Sequence, residues 1–384
     1  MKGHVWNRAA KLLGAVAIAA VAASLVFGQV RQAEVERRDQ AGVARLTGKM
    51  KTICVGRFLV DMPEEAVVEF ARPRIHGLDI AAFSETADEF QARLAEREAQ
   101  IKAKPDRLGG NRNLEMAREV TTESGLTGKI FVHSRAVTEG TAANGLELER
   151  YRYEGVAVEA LVHGHGVSVD MGSDSYFADR VGNLSNLVNQ LVPNLGNKVP
   201  KERGFCIDHA YFRDPLKADQ REQIRMFARL PSNPDIEFAF IVMAGTKPDE
   251  KGLLERNAES NGRLSMEEKA RISKLRAERR TIGGITGEEV AERFDEANNA
   301  IVYSFWWEVN GAADNVMNPH LSFTMDTGKG GKGPVPSLLS QGAAVRLWDK
   351  VSSSIRFHHA GSGTNAKTIA PTSVSTSASR APDV

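Results

Sequence analysis

The sequence predicts an α+β fold made of two similar lobes, each a mostly antiparallel sheet packed with helices. Three observations carry this: an internal repeat, a shared order of strand-like and helix-like segments in the two halves, and a break between them. The repeat opens with Lys51-Thr-Ile-Cys54-Val-Gly-Arg57-Phe-Leu-Val-Asp-Met-Pro63. It opens again with Arg203-Gly-Phe-Cys206-Ile-Asp-His-Ala-Tyr-Phe-Arg-Asp-Pro215. In each, Cys sits nine residues before Pro, with an apolar run between. Self-similarity of this kind marks a duplicated unit. The break is the cluster of Gly, Asn and Pro over residues 195–201, a composition that interrupts regular structure.

The elements then follow in parallel. Residues 78–83 and 236–242 read as strands. Each leads into a charged helix, over 87–104 in the first half and over 251–278, broken near Asn261-Gly262, in the second. Paired strands come next: 127–135 with 146–153, and 280–285 with 300–308. In the last of these, Tyr303, Phe305 and Trp307 alternate with less apolar neighbours, the period of a half-buried strand. Third strands are expected at 158–170 and 320–325, and closing helices at 176–192 and 335–353. Phe177, Val181, Leu184, Leu187, Val188 and Leu191 fall on one face of the first closing helix. Sheets with helices set to one side give the α+β class. The lobes span 51–197 and 198–359.

Both ends are legible. Lys2, Arg8 and Lys11 precede the charge-free, apolar run 12–30. As a helix that run measures about 28 Å, close to the ~30 Å hydrocarbon core of a bilayer. It reads either as a signal peptide, with Ala20-Val21-Ala22 as the cleavage motif, or as an uncleaved anchor. Cleavage after Ala22 leaves Leu25-Val26-Phe27 on the mature end, which favours the anchor. Either way the preceding basic residues keep the body on the outer side of the membrane, and the membrane is met only through this segment. Residues 1–31 form this unit, 32–50 a helical or flexible spacer, and 360–384 a disordered tail of Ser, Thr, Ala, Gly and Pro, too poor in apolar surface to fold.

The formal net charge is +1, from 50 basic and 49 acidic residues, so no basic excess points to nucleic acid. Two cysteines, Cys54 and Cys206, in an exported chain read as a disulfide; two buried free thiols are the alternative. Closing a loop of that length stabilises by about 5 kcal/mol at most in the chain-entropy picture. It would join the first strands of the two lobes.

The catalytic motifs fail one by one. There is no G-x-S-x-G. Gly172-Ser173-Asp174-Ser175 reads as a capped strand-to-helix turn. Thr327-Gly-Lys-Gly-Gly-Lys-Gly333 lacks the spacing of a phosphate loop and reads as a mobile basic surface loop. His163 and His165, at i and i+2 of a strand, make half a metal site that nothing nearby completes, and His358-His359 is weaker still. Glu288 and Glu289 are adjacent on a strand and point to opposite faces, so they cannot share one reacting centre. An ion pair with a buried arginine suits them better, with Arg57 and Arg356 as the candidates. The charged segment 267–280 reads as a solvated helix face or a partner surface. No catalytic, cofactor or metal residue is assigned, and the chain is read as a binding protein without enzymatic activity.

Several of these segments together carry a resemblance. Cys54-Val-Gly56-Arg57-Phe-Leu-Val-Asp-Met-Pro63, Phe205-Cys206-Ile-Asp, Gly284-Ile-Thr-Gly287-Glu288-Glu289, Phe305-Trp-Trp307-Glu308-Val-Asn-Gly311 and Leu347-Trp348-Asp with Ser354-Ile-Arg356 resemble the immunity proteins of type VI secretion phospholipase effectors. The likeness runs from about Lys51 to Phe357. It implies a two-lobed periplasmic protein, free after cleavage or tethered by 12–30, that grips a cognate secreted phospholipase effector like a claw and occludes its active site. It marks Gly56, Arg57, Pro63, Gly287, Glu288, Trp307, Glu308, Trp348 and Arg356 as structural signature positions and transfers no partner contacts. A membrane-tethered envelope adaptor, favoured by the run 12–30, is the alternative; an enzyme using His163, His165 or Glu288 is a third.

Overall fold

The structure, a computed structural model, describes residues 31–358 apart from 107, 109–111, 145–146 and 214–219. The run 12–30, Pro215, His359 and the tail lie outside the described residues. The first described element is a helix over 31–47, α1. Asp39, Gly42, Val43 and Leu46 recur at i, i+3, i+4 and i+7, and this stripe faces the body: Asp39 and Val43 are buried and Leu46 packs on the core.

The first half then runs β1 (Met50–Val55), β2 (Phe58–Pro63), β3 (Val67–Ile75), β4 (Leu78–Ser84), α2 (Ala87–Ala103), β5 (Leu114–Thr121), β6 (Thr127–Asn144), β7 (Glu147–Gly164), β8 (Val167–Phe177), α3 (Gly182–Gln190) and β9 (Leu191–Pro193). The second runs β10 (Gly204–Ile207), β11 (Ala210–Arg213), β12 (Glu222–Leu230), β13 (Asn233–Ala244), α4 (Leu253–Arg263), α5 (Met266–Ala270), β14 (Ile272–Ile282), β15 (Ile285–Asp295), β16 (Ile301–Val309), β17 (His320–Asp326), α6 (Gln341–Ser352) and β18 (Arg356–Phe357).

The sheet order bears out the repeat. One 12-stranded sheet has the order β14-β15-β16-β17-β13-β12-β3-β4-β8-β7-β6-β5. Read outward from its centre, β3, β4, β8, β7, β6, β5 answer β12, β13, β17, β16, β15, β14. A pseudo-two-fold axis therefore passes through the antiparallel seam of β3 and β12, where Phe70 faces Met226. The halves also exchange their last strands. β18 pairs with β2 to complete the sheet β1-β2-β18, and β9 pairs with β11 to complete β10-β11-β9. One hydrophobic core runs through both, holding Phe58 and Val60 with Phe205, Phe240, Trp307 and Trp348. The two lobes are thus mostly antiparallel α+β units fused edge to edge.

Four expectations are corrected. The second charged helix stops at Ala270, and the strand expected from 280 starts at Ile272 as the edge strand β14, which pairs with β15, while 301–309 pairs with β15 and not with it. The arginines and lysines of β14 mimic a solvated helix face, yet a charged edge strand is what blocks edge-to-edge pairing of a sheet. The expected strands 146–153 and 158–170 are not separate: β7 runs through both and turns into β8 at His165 and Gly166, with φ of 55° and 77°. The closing helices are shorter than their apolar pattern, because residues 176–177 end β8 and Ser340 caps α6 by accepting from the backbone N–H of Ala343. Gly172 to Ser175 lie inside β8, not in a capping turn.

On the first lobe α2 packs on the sheet through Phe90, Leu94 and Ile101, bordered by ion pairs. Arg97 and His133 both donate to Glu159, Arg97 Nε at 2.8 Å and His133 Nε2 at 3.0 Å. Burial pushes the Glu159 carboxyl up, but these hydrogen bonds outweigh it and hold it at about 2. A carboxyl lowered in the folded state stabilises above its unfolded pKa and loses that contribution as pH falls through the folded one. Urea midpoints should therefore show wild type ahead of Glu159→Gln near neutrality and the gap closing between about pH 4.5 and 2. A gap that stays constant over this range would remove the ion pair from the account.

Candidate functional site

The signature residues assemble at two places in the fold. The first is the junction of the halves. Cys54 and Cys206 form a disulfide with a Cα–Cα distance of 5.8 Å, joining β1 to β10. Beside it Gly56 and Cys206 exchange both backbone hydrogen bonds, at 3.0 and 2.8 Å. Gly56 has a φ of 55°, and a Cβ there would lie 3.1 Å from Ile224 and from Phe205. Both the conformation and the close approach call for glycine. Arg57, next in the turn, is buried and bidentate with Glu222 at 2.9 and 2.8 Å. Its carboxylate partner is thus at the start of β12, not in the Glu288-Glu289 pair. Pro63 ends β2, its carbonyl accepting from Ala66.

The second place is the core of the second half. The Trp348 ring stacks on Phe305 and Phe323, with centroids 5.5 and 5.3 Å apart. Its indole N–H donates to Glu289, which is fully buried and also accepts from Arg280 at 3.0 Å. Arg276 and Arg280 are held on the other side by Asp349. The arginines that meet Glu289 are therefore those of β14, and Arg356 instead pairs with Asp61 at 3.2 Å. Sequence reasoning missed them because it ran the charged helix to 278 and began the strand only at 280, so Arg276 and Arg280 were not set on one strand beside Glu289. Glu288 points the other way and accepts from the Leu254 backbone N–H at 2.9 Å, capping α4 from a neighbouring strand. Trp307 lies across Gly287, where a Cβ would meet its indole nitrogen at 2.7 Å. Glu308 is clamped by Arg256 at 2.7 Å.

The remaining motifs do not form sites. His163 stacks on Phe90 and meets Ser168 at 3.0 Å, whereas His165 sits in the turn after β7, so they do not share a strand face. The basic loop after Thr327 is fastened at its base, where the buried Asp235 accepts from the backbone N–H groups of Gly328 and Leu338. Among the described residues, the one close cluster of three metal-ligand atoms is Cys54, Cys206 and His358, but its two sulfurs are bonded to each other.

What the fold does present is a groove of about 860 Å³ at the seam of the halves. One wall comes from the β3–β4 turn and the end of β8, with His76, Ser175 and Phe177, followed by Arg180 and Asn183. The other comes from the start of β12 and the end of β13, with Arg221, Gln223 and Met243. Arg180 and Arg221 are exposed. Its rim continues onto the β6–β7 ribbon, which outruns both neighbouring strands and carries exposed Tyr151 and Tyr153. A concave surface made by two lobes, with aromatic and arginine side chains at its edge, is suited to holding another protein. Nothing in the sequence pattern marked it, because its residues come from five separate segments, the last being Asp314.

Residues 51–159 match the N-terminal domain, and residues 198–360 the C-terminal domain, of Tle cognate immunity protein 4. Among curated proteins, none matches the sequence. Two solved structures of the Pseudomonas aeruginosa type VI secretion immunity protein TplEi share this fold at 22% identity. The apo form has a TM-score of 0.64, covering 80% of this chain and 97% of that one. The form complexed with a peptide termed "L" has a TM-score of 0.62, covering 80% and 98%. A chain of the Tle4–Tli4 complex is similar at 23% identity and a TM-score of 0.64, over 80% of this chain and 97% of that one. With both of its domains matched in order across most of the folded body, the chain belongs to the Tle cognate immunity protein 4 family.

Proposed function

We propose that this chain binds a cognate type VI secretion phospholipase effector in the periplasm and inhibits it by occluding its active site, without catalysing a reaction itself. The observation that carries this reading is the ordered match of both immunity-protein domains on one fused body whose halves flank a groove. The Tle4–Tli4 complex supports it by analogy, as a pair formed by a protein of similar fold. In this reading residues 51–197 and 198–359 are the two gripping lobes. The disulfide and the signature residues fix their relative pose, and 12–30 either is cleaved or holds the protein at the inner membrane. A stable complex of this type buries roughly 1,200–2,000 Å².

The test is titration of a candidate cognate type VI secretion phospholipase with the purified full chain. Stoichiometric loss of lipase activity and a co-eluting one-to-one complex are expected. Full lipase activity and no complex, with both proteins folded, would discard the inhibitor in favour of an envelope adaptor.

A further inference from the structure

The disulfide that ties the halves has a third neighbour. A ring nitrogen of His358 and the sulfurs of Cys54 and Cys206 all lie within 4.8 Å of one another, and all three residues are buried. They come from three separate places: Cys54 on β1, Cys206 on β10, and His358 directly after β18. Each is held by the backbone around it. Gly56 and Cys206 exchange their hydrogen bonds beside the bridge, and the His358 backbone N–H donates to the Arg57 carbonyl at 2.8 Å. The imidazole is oriented as well. Its Nε2–H donates to the Pro200 carbonyl at 2.9 Å, since a carbonyl oxygen only accepts, and this leaves the lone pair of the neutral ring on Nδ1. A carbonyl that fixes the tautomer through one nitrogen is how metal-binding histidines are oriented. Beside the cysteines lies a cavity of about 490 Å³, walled by Asn194, Asn197 and Lys198 on one side and by Lys51 of β1 on the other. It reaches both cysteines and gives an approach to their sulfurs.

We propose that the reduced form of this junction binds one zinc ion through Cys54, Cys206 and His358. In the oxidised chain the sulfurs are bonded to each other and are not ligands. Reduction by a dithiol supplies two electrons and two protons. The S–S bond breaks, both cysteines become thiols, and the dithiol leaves as its own disulfide. Zinc then displaces the two thiol protons and bonds both thiolates and Nδ1 of His358. Two thiolates and one divalent ion cancel, so the buried site carries no net charge; a monovalent ion would leave a negative charge there. A water from the cavity completes the four-coordinate shell that zinc prefers. Little movement is needed. Zn–S bonds of about 2.3 Å in a tetrahedron put the sulfurs about 3.8 Å apart. Side-chain rotation reaches that separation at the observed Cα–Cα distance of 5.8 Å. The halves are then tied at β1 and β10 in both redox states, covalently when oxidised and through zinc before the disulfide is made.

The experiment uses the tag-free full chain, reduced with dithiothreitol, desalted without oxygen and titrated with zinc alone, with circular dichroism to follow folding. One zinc per chain should bind. Cobalt in its place should give a thiolate charge-transfer band and the visible bands of a tetrahedral ion. The oxidised chain should show neither. His358→Gln keeps a donor for the Pro200 carbonyl but lacks the imidazole, and its reduced form should bind zinc at least about 10-fold more weakly. Cys206→Ser leaves one thiolate and should lose the cobalt spectrum. His163→Gln, on the first lobe, is the control and should bind like the reduced wild type. Equal uptake by oxidised and reduced chains would mean adventitious surface binding and overturn the site, as would a reduced, folded chain that takes up no zinc. Unchanged affinity in His358→Gln would overturn the three-residue assignment. A reduced chain that unfolds without zinc and refolds with it would support the site; one that zinc leaves unfolded would overturn it. The effector takes no part in these measurements, so their result stands apart from the immunity reading.

Discussion

Replacing both bridge cysteines, Cys54→Ala with Cys206→Ala, should lower the free energy of unfolding by about 2–5 kcal/mol. The bond links positions 152 residues apart in sequence, so its absence releases a long loop in the unfolded chain, where the chain-entropy effect acts. The native pose should barely change. The Gly56–Cys206 backbone pair, the β3–β12 seam and the exchanged strands β9 and β18 still tie the halves together. Urea denaturation would therefore show a lower midpoint and a slope that is the same or steeper, because the unfolded chain without the bond is more expanded. Wild type in reductant should follow the double variant. A loss below about 1 kcal/mol would mean that the denatured chain keeps the two halves close without the bond.

Glu289→Ala should be comparably severe, costing about 3–5 kcal/mol. The carboxylate is fully buried and joins three elements. It accepts the indole N–H of Trp348 on α6 and meets Arg280 and Arg276 of the edge strand β14. Truncation leaves the indole donor without that acceptor and opens a gap beneath the Trp348–Phe305–Phe323 stack. Glu289→Gln keeps an acceptor for Trp348 and nearly the same volume, so it should recover a good part of the loss. Equal losses in the two variants would show that the charge, not the indole hydrogen bond and the packing, carries the effect. The arginines keep Asp349 in either variant, which is why the edge strand should stay paired rather than detach.

Some of this molecule was fixed by local pattern. The nine-residue spacing from Cys to Pro and the parallel order of strands and helices revealed the duplication, because each half repeats the same chemistry. The alternation of Tyr303, Phe305 and Trp307 identified β16, and the opposite directions of Glu288 and Glu289 followed from the two-residue period of a strand. Other features depended on contacts between distant segments. Whether residues 272–278 continue a helix or form an edge strand was decided by their ladder to β15, since a charged surface strand and a charged helix face have similar compositions. The partners of Arg57, Glu289 and Arg356 were likewise chosen by register across the sheets. The exchange of β9 and β18 and the single sheet through both halves are invisible to any local reading. The groove is the clearest case: its walls gather short stretches from both halves around a pseudo-two-fold axis. Periodicity reports which face of an element is buried, but only the packing of the two halves determines what lies opposite that face and which concave surface is left open.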